Sequence, residues 1–282
     1  MYNKLPPLNN LDTPVSLALI TGATGGLGKA FALECAACGW DLYLTDINEE
    51  QLAILANSLN KIYNVRTYYQ ACNLVDPSAR EIFFTSLEEY AGKFSCLINV
   101  AGLDYEGLFT DQNREWISTI VRLNVENTLE MTHRLLQLRD PLTPFRIINV
   151  ASLAAFYPMP VKATYAASKR FLLNFSLALR EELKGTGASV TVLCPAGMPT
   201  TQTNIEAIEA QGWMGYATTR DTGRVAAAAI DAALRNKPVV IPGRINQFLR
   251  AAGSIFPATW IASLVGNRWR TAHQKRFHPS AI

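Results

Sequence analysis

The segment SLALITGATGGLGKAFALECAACG, residues 16–39, decides the fold. Its apolar start, up to Gly22, is typical of a strand buried on both faces of a parallel sheet. A turn with four glycines follows and opens into a helical pattern that Gly39 ends. Glycine lets the backbone approach a pyrophosphate closely, and the free N–H groups of a helix N-terminus attract it. The segment therefore predicts a nucleotide-binding turn, with a tight turn that binds no ligand as the alternative.

The alternation of strand and helix that begins here continues along the chain. Six further apolar strand segments are predicted at 41–46, 65–72, 94–102, 145–152, 189–195 and 238–243. Because helical segments separate them, the connections are too long for hairpins, and the pattern predicts a single doubly wound parallel sheet of the Rossmann type, with helices on both faces. We expect three regions: an N-terminal arm (1–15), a dinucleotide-binding domain (16–243) and an apolar C-terminal extension (244–282) packed on that domain.

Composition and charge narrow the function classes. The 282 residues, 49% hydrophobic and 17% charged, suit one large α/β domain or two small ones, and the lack of a long linker favours one. A net charge of +3 without a long Lys/Arg run argues against a nucleic-acid partner. There is no apolar signal segment at the N-terminus, and the odd number of cysteines favours reduced thiols and a cytoplasmic location. We expect no metal site, because the Cys35-x-x-Cys38 pair has no second such pair and no nearby histidine.

Asp46 ends the second predicted strand. A carboxylate at this place accepts hydrogen bonds from an adenosine ribose and repels a 2′-phosphate. No Arg or Lys precedes Lys29 in the glycine turn to hold such a phosphate. We therefore expect NAD(H) to be preferred over NADP(H). The alternative is that Asp46 only caps the following helix.

Tyr165 and Lys169 lie four residues apart at the start of a predicted helix, after Ser152. Residues i and i+4 share one helix face, so an ammonium group beside the phenol would favour its deprotonated form. A shift of about 3 units from a pKa near 10 needs about 4 kcal/mol. One cation at ~4 Å in an effective dielectric of ~20 supplies about that much. The pair predicts an acid/base group that works at neutral pH, unless it is an accidental surface contact.

Several motifs in this order resemble the short-chain dehydrogenase/reductase family. They are TGATGGLG (21–28), NVAG (99–102), Asn124, Ser152, Tyr165-x-x-x-Lys169 and PAGMPT (195–200). The resemblance runs from about Ser16 to Gly243. The glycine turn fits both the compact oxidoreductase branch and the extended branch of epimerases and dehydratases. The NVAG and PAGMPT motifs and the short C-terminal part resemble the compact branch.

The resemblance implies a role for each motif. The implied catalytic set is Asn124, Ser152, Tyr165 and Lys169. The implied cofactor-binding residues are Gly22, Thr24, Gly26, Leu27, Gly28, Asp46, Asn73, Leu74, Asn99, Ala101, Gly102, Tyr165, Lys169, Pro195 and Thr200. The chain departs from the family pattern at Asn73, where an aspartate is usual, at Val100, where a second asparagine is commoner, and at PAG, where Pro-Gly is usual.

The implied reaction is hydride transfer between a nicotinamide cofactor, NAD or NADP, and a secondary alcohol or ketone. Tyr165 would be the general acid or base, and Ser152 would donate a hydrogen bond to the carbonyl oxygen. Lys169 would hold the cofactor ribose and keep the Tyr165 pKa low. Asn124 would disturb its helix and position a water that relays protons from Lys169. Two other functions stay open: a non-catalytic NAD-binding regulator, and an epimerase or dehydratase of the extended branch.

Apolar residues in the loops 153–161 and 198–216 favour a hydrophobic, steroid- or acyl-like substrate. These residues are Phe156, Tyr157, Met159, Met198, Trp213 and Met214. The alternative is that they pack on the core or on a partner subunit. We expect a homodimer or homotetramer.

The C-terminal extension mixes apolar residues with interspersed arginines, among them those at positions 244, 250, 268 and 270. Its large apolar residues are Ile245, Phe248, Leu249, Ile255, Phe256, Trp260, Ile261, Leu264, Val265 and Trp269. Three roles fit this composition: a cover for the substrate pocket, a subunit interface, or contact with a membrane surface. We expect a cover or an interface rather than membrane contact.

Overall fold

The computed structural model describes residues 17–200, 202–210, 212–253 and 257–277. Within these ranges, the side chains at 203, 207, 214, 252, 253 and 268–277 are not described. The predicted N-terminal arm, 1–15, therefore lies outside the described residues, as do Ile255 and Phe256 of the extension.

The described residues form seven strands, and at least one helix separates each strand from the next. The strands are β1 Leu17–Thr21, β2 Asp41–Asp46, β3 Thr67–Ala71, β4 Phe94–Asn99, β5 Phe145–Val150, β6 Ala188–Leu193 and β7 Val239–Val240. The helices are α1 Gly26–Ala37, α2 Glu49–Tyr63, α3 Pro77–Ser86, α4 Arg114–Val121, α5 Asn127–Leu138, α6 Ala163–Glu182, α7 Gln202–Ala210, α8 Trp213–Thr218, α9 Thr222–Leu234, α10 Arg244–Gly253 and α11 Ala258–Phe277.

The strands form one sheet in the order β3-β2-β1-β4-β5-β6-β7, and every neighbouring pair is parallel. The chain moves outward in one direction from β1 to β3 and then crosses back to β4 beside β1. The order therefore reverses between β1 and β4, and a sheet of this kind binds ligands outside the strand ends at that point. The predicted doubly wound parallel sheet is confirmed.

The central strands are mainly apolar because both of their faces are buried. In β1, Ala18 and Ile20 belong to the core cluster that includes residues of α1, α2 and α9. Leu17 and Leu19 point to the opposite face and belong to the cluster that includes residues of α3 and α5. Since successive side chains of a strand alternate between faces, a strand between two helical layers needs an unbroken apolar run.

The long helix predicted between 112 and 138 is interrupted. The structure has α4, then a π-helical segment at Arg122–Glu126, then α5. A π-helical turn inserts one residue into the helix and changes the direction of its side chains, and such turns occur frequently at functional sites. The predicted strand at 238–243 is also shorter than expected, since only Val239 and Val240 pair with β6. No helix among the described residues is long and apolar enough to cross a membrane.

Arg80 of α3 is a charged residue in the core, with 1% of its surface exposed. Its guanidinium donates to the Leu74 carbonyl oxygen at 2.8 Å and to Glu130 Oε2 at 2.7 Å, and it also contacts Glu126. These bonds join α3 to the loop after β3, to the π-helical segment and to α5. Such a buried charge needs its partners, because losing one leaves the others uncompensated.

Replacement of this residue, Arg80→Ala, should lower the free energy of unfolding by about 2–4 kcal/mol, because two carboxylates and a carbonyl lose their donor. Urea unfolding followed by circular dichroism measures the change. The control is Arg66→Ala, which removes an exposed ion pair with Asp41 and should have a much smaller effect. Equal effects of the two substitutions would contradict the role given to Arg80.

Candidate active site

A cleft of about 1330 Å³ lies over the carboxyl ends of the strands. It is lined by the glycine turn, by the residues that follow β2 to β6, and by residues of α7, α8, α10 and α11. Single-ligand pockets typically have volumes of about 300–1,000 Å³, so this cleft has room for a dinucleotide and a substrate together.

The glycine turn and the start of α1 form one end of the cleft, and Gly22, Gly26, Leu27 and Gly28 all line it. A β-carbon at Gly28 would lie 2.0 Å from the Gly22 carbonyl oxygen, so no side chain fits there. The residue before α1 is Gly25, and no side chain caps the helix. The first N–H groups of α1 therefore have no side-chain acceptor, which suits an anionic phosphate group.

Asp46 lies next to this turn at the end of β2. Its carboxylate accepts the N–H of Thr24 at 2.9 Å and that of Ile47 at 2.7 Å, and it lines the cleft. The helix that follows, α2, is capped by Asn48, which accepts the N–H of Gln51. The alternative interpretation of Asp46, as a helix cap, is therefore wrong. Thr24 does not line the cleft, but its amide holds the Asp46 carboxylate in place.

The turn after β4 is held by hydrogen bonds to two neighbouring strands and to α5. Thr21 Oγ1 accepts the N–H groups of Val100 and Ala101, each at 3.1 Å. The buried Asn99 side chain donates to Asn149 Oδ1 at 2.9 Å and to Thr132 Oγ1 at 3.1 Å. Ala101 and Gly102 line the cleft as expected. Asn99 does not line it, and its buried side chain holds the start of the turn through these hydrogen bonds.

The remaining implied cofactor residues also border the cleft: Asn73, Leu74, Pro195 and Thr200. The Pro195 carbonyl oxygen accepts the N–H of Leu153 at 2.7 Å, which joins the loop after β6 to the loop after β5. The amide of Asn204, at the start of α7, donates to Thr200 Oγ1 at 2.6 Å.

Ser152, Tyr165 and Lys169 meet in the middle of the cleft. Ser152 follows β5, and the other two lie one turn apart at the start of α6. The side chains of Ser152 and Tyr165 share a hydrogen bond. Lys169 Nζ lies 5.8 Å from the centre of the Tyr165 ring and donates to the Val150 carbonyl oxygen at 2.9 Å. The structure therefore brings together the three residues that the sequence grouped.

Asn124 lies inside the π-helical segment and is fully buried, so the predicted local disturbance of the helix is present. Its side chain accepts the Leu103 N–H at 2.8 Å and donates to the Leu103 carbonyl at 2.9 Å and to Ser168 Oγ at 3.0 Å. A β-carbon at Gly102 would lie 3.0 Å from Asn124 Oδ1 and 3.2 Å from Lys169 Nζ. Gly102 therefore leaves space between the asparagine and the lysine.

The pKa values differ from the expectation. Burial raises the pKa of Tyr165 well above its usual value near 10; the charge of Asp104 adds to this, and the hydrogen bond with Ser152 opposes it. Burial lowers the pKa of Lys169 to about 8. The expected lowering of the Tyr165 pKa is therefore wrong for the structure, because burial, which disfavours the phenolate, is the largest influence on this group.

A group of charges lies beside Tyr165 that was not predicted from the sequence. Lys162 Nζ forms ion pairs with Asp104 and, at 3.6 Å, with Glu106, and lies 5.8 Å from the centre of the Tyr165 ring. Asp104 and Lys162 line the cleft. One signal was available, since Asp104 follows the NVAG turn at a strand end where ligands bind. The pairing with Lys162 was not visible, because 58 residues separate the two.

The proposed substrate loops divide between the cleft and the surface. Tyr157, Met159 and Met198 line the cleft. Trp213 is exposed, and the side chain of Met214 lies outside the described residues. The C-terminal extension contributes to the cleft wall with Leu249, Ile261, Leu264 and Val265.

Comparison with known proteins identifies the family. The family model described as short chain dehydrogenase matches residues 16–211, which is more than half of the chain. The chain belongs to the short-chain dehydrogenase/reductase family. The resemblance seen in the motifs is therefore confirmed.

Two relatives and one solved structure illustrate the similarity. A very-long-chain 3-oxoacyl-CoA reductase of Laccaria bicolor is 35% identical over 178 residues, which are 61% of this chain and 52% of the reductase. The chain thus matches about half the length of that relative. Sulfoacetaldehyde reductase 2 of Chromohalobacter salexigens is 34% identical over 66% of this chain and 73% of its own length. A 7beta-hydroxysteroid dehydrogenase structure has a TM-score of 0.79 at 24% identity and covers 89% of this chain and 96% of its own, which shows the shared fold.

The ionisation of Lys169 provides a test of the site. Its pKa should be about 8 and should fall further in Asp104→Asn, because the carboxylate stabilises the charged ammonium. NMR titration of isotope-labelled lysines, with Lys169→Met for assignment, measures both values. The control, Glu81→Gln on the exposed face of α3, should leave the pKa unchanged. A wild-type value near 10.4, or a rise in Asp104→Asn, would contradict this account of the site.

Proposed function

We propose that this protein is an NAD(P)-dependent oxidoreductase that interconverts a secondary alcohol and a ketone by hydride transfer. One observation carries the proposal: Ser152, Tyr165 and Lys169 converge in a cleft whose far end is an uncapped helix N-terminus beside Asp46. A non-catalytic NAD-binding regulator has no need of the complete proton-transfer set. An epimerase or dehydratase of the extended branch is disfavoured because NVAG and PAGMPT resemble the compact branch.

The residues present fit a nicotinamide dinucleotide. The N-terminus of α1 and the glycine turn would hold the pyrophosphate, and Asp46 would accept the adenosine ribose hydroxyls. Asn73 and Leu74 would border the adenine, while Ala101, Gly102, Pro195 and Thr200 would line the path toward Lys169. The nicotinamide ring supplies the hydride that moves to or from the substrate carbon.

The protein's own groups would orient the carbonyl and move the proton. Ser152 donates a hydrogen bond to the carbonyl oxygen, where negative charge develops during reduction. Tyr165 gives that oxygen a proton, and its raised pKa keeps the phenol protonated at neutral pH. Lys169, whose pKa is lowered to about 8, exchanges protons more readily near neutral pH than an exposed lysine. Asn124 and the space at Gly102 would hold a water molecule. This water would relay to Lys169 the proton that restores the site after Tyr165 has given up its own.

Loss of the phenol, Tyr165→Phe, should lower kcat about 10²–10⁴-fold, the usual range when a proton-transfer group is removed. Binding of NADH, measured by calorimetry, should stay nearly intact. Tyr69→Phe, on the exposed edge strand β3, removes the same hydroxyl away from the cleft and is the control. Full activity of Tyr165→Phe would disprove the proposed mechanism, and absence of NADH binding in the wild type would disprove the proposed cofactor.

NAD(H) is proposed as the preferred cofactor because the Asp46 carboxylate is held toward the cleft by two backbone N–H groups. A 2′-phosphate bound there would meet this carboxylate at close range. Asp46→Ala with Ile47→Arg should shift the ratio of kcat/KM for NADH over NADPH by at least about tenfold toward NADPH. Asp140→Asn, which removes a carboxylate far along the chain from this turn, is the control. A tenfold wild-type preference for NADPH would overturn the assignment.

A hydrophobic, steroid- or acyl-like substrate is proposed from the apolar wall of the cleft beyond Tyr165. Tyr157, Met159, Met198, Leu249 and Ile261 form this wall. The similarity to a 3-oxoacyl-CoA reductase supports an acyl chain, whereas the similarity to a sulfoacetaldehyde reductase points to a small charged substrate. A panel of ketones that differ in chain length and charge decides between them, and a strong preference for small anions would discard the hydrophobic class.

We also propose that the protein forms a homodimer or homotetramer and that it is located in the cytoplasm. None of the five cysteines forms a disulfide, which supports a reducing compartment. Analytical ultracentrifugation of the purified chain measures the subunit number.

A further inference from the structure

Large apolar side chains face solvent on three helices that also contribute residues to the cleft wall. We call them the apolar rim: Trp213, Tyr216, Ile245, Phe248, Trp260 and Leu264. They belong to α8, α10 and α11, and α7 contacts both α8 and α11 while α8 contacts α10. Phe248 is 71%, Trp260 69% and Leu264 75% exposed. Apolar exposure concentrated on adjoining helices marks an interaction site, whereas single exposed residues are ordinary.

Helix α10 is anchored so that two of the rim residues, Ile245 and Phe248, lie on its exposed side. The buried Asn246 fastens this helix, because its amide donates to the Thr218 carbonyl at 3.0 Å and to the Pro242 carbonyl at 2.7 Å. Leu249 lines the cleft, while Ile245 and Phe248, three residues apart on another face, are exposed. The helix is thus apolar toward the cleft and also apolar toward solvent.

The apolar rim is continuous with the interior of the cleft. Leu264 lines the cleft and is largely exposed, and on the same helix Ile261 is buried in the cleft wall. A compound that enters the cleft past α11 therefore meets apolar side chains outside, at the mouth and inside.

The charge of the extension indicates what the rim contacts. Residues 244–282 contain six Arg and Lys and no Asp or Glu, whereas residues 1–243 contain 20 basic and 23 acidic residues. Arg244 and Arg250, next to the rim residues of α10, are both exposed. The net positive charge of the chain therefore comes from the extension, which carries much of the apolar rim.

A second copy of this chain is a poor partner for such a surface. A two-fold contact places the same patch against itself, so the cationic extensions of the two copies would face each other. An anionic phospholipid surface complements the charge, and aromatic side chains such as Trp260 and Phe248 suit the boundary between headgroups and acyl chains.

We propose that the apolar rim and the cationic extension bind the surface of an anionic phospholipid bilayer, with the mouth of the cleft toward the lipid. This reverses the order that the sequence favoured, because the outward position of the rim residues appears only in the folded chain. The extension lies on the membrane and does not span it, in agreement with the absence of a spanning helix among the described residues. The binding does not depend on catalysis and is tested without an enzyme assay.

Vesicle flotation tests the proposal directly. The full chain should partition at least about tenfold better into phosphatidylcholine vesicles with about 30 mol % phosphatidylserine than into phosphatidylcholine alone, and high salt should weaken the binding. Phe248→Ser with Trp260→Ser should reduce binding to the anionic vesicles at least about tenfold. The control, Ile82→Ser with Leu142→Ser, removes two exposed apolar residues elsewhere and should float like the wild type.

Three results would overturn the proposal. The first is a wild-type chain that floats with neither kind of vesicle. The second is a rim variant that floats as well as the wild type, which would indicate simple charge attraction. The third is a rim variant that dissociates a dimer or tetramer in ultracentrifugation while its flotation is unchanged, which would assign the rim to a contact between copies. Circular dichroism and thermal melts of each variant separate loss of binding from loss of fold.

Discussion

The contact of Tyr165 with Ser152 and Lys169 is the interaction on which the proposed activity depends. Burial disfavours the charged form of both ionisable groups, so the pKa of the phenol rises while that of the ammonium falls. The phenol therefore stays protonated at neutral pH, which suits a proton donor in ketone reduction. One neighbour opposes each of these shifts. The hydrogen bond with Ser152 stabilises the phenolate and so lowers the pKa of Tyr165, whereas Asp104 stabilises the ammonium and so raises the pKa of Lys169.

The rest of the fold holds this contact in place. Ser152 follows strand β5, and Tyr165 and Lys169 lie one turn apart on α6. In the π-helical segment, the Asn124 side chain bonds to the Leu103 backbone. Thr21 and Asn99 secure the turn that ends in Gly102, beside the ammonium. The buried Arg80 ties the π-helical segment to the loop that carries Leu74. The catalytic and cofactor ends of the cleft are therefore parts of one connected structure.

Much of this could be predicted from the sequence, because the signals are local. Apolar runs that end in glycine identify buried parallel strands, and the spacing of Tyr165 and Lys169 alone places them on one helix face. The pair of Asp104 and Lys162 could not be predicted, because it depends on how the loop after β4 approaches α6. The direction of the Tyr165 pKa was predicted wrongly because spacing shows a neighbouring charge but not the depth of burial. The outward position of Phe248 and Trp260 likewise depends on tertiary packing.

The central claim is most directly tested by a crystal structure of the ternary complex with NAD⁺ and an unreactive analogue of a hydrophobic ketone. The account predicts that the analogue's oxygen lies within about 2.6–3.2 Å of both the Tyr165 hydroxyl and Ser152 Oγ. It also predicts that Lys169 Nζ contacts the ribose next to the nicotinamide. A Tyr165 hydroxyl turned away from the cofactor, or an analogue bound out of reach of Ser152, would contradict it.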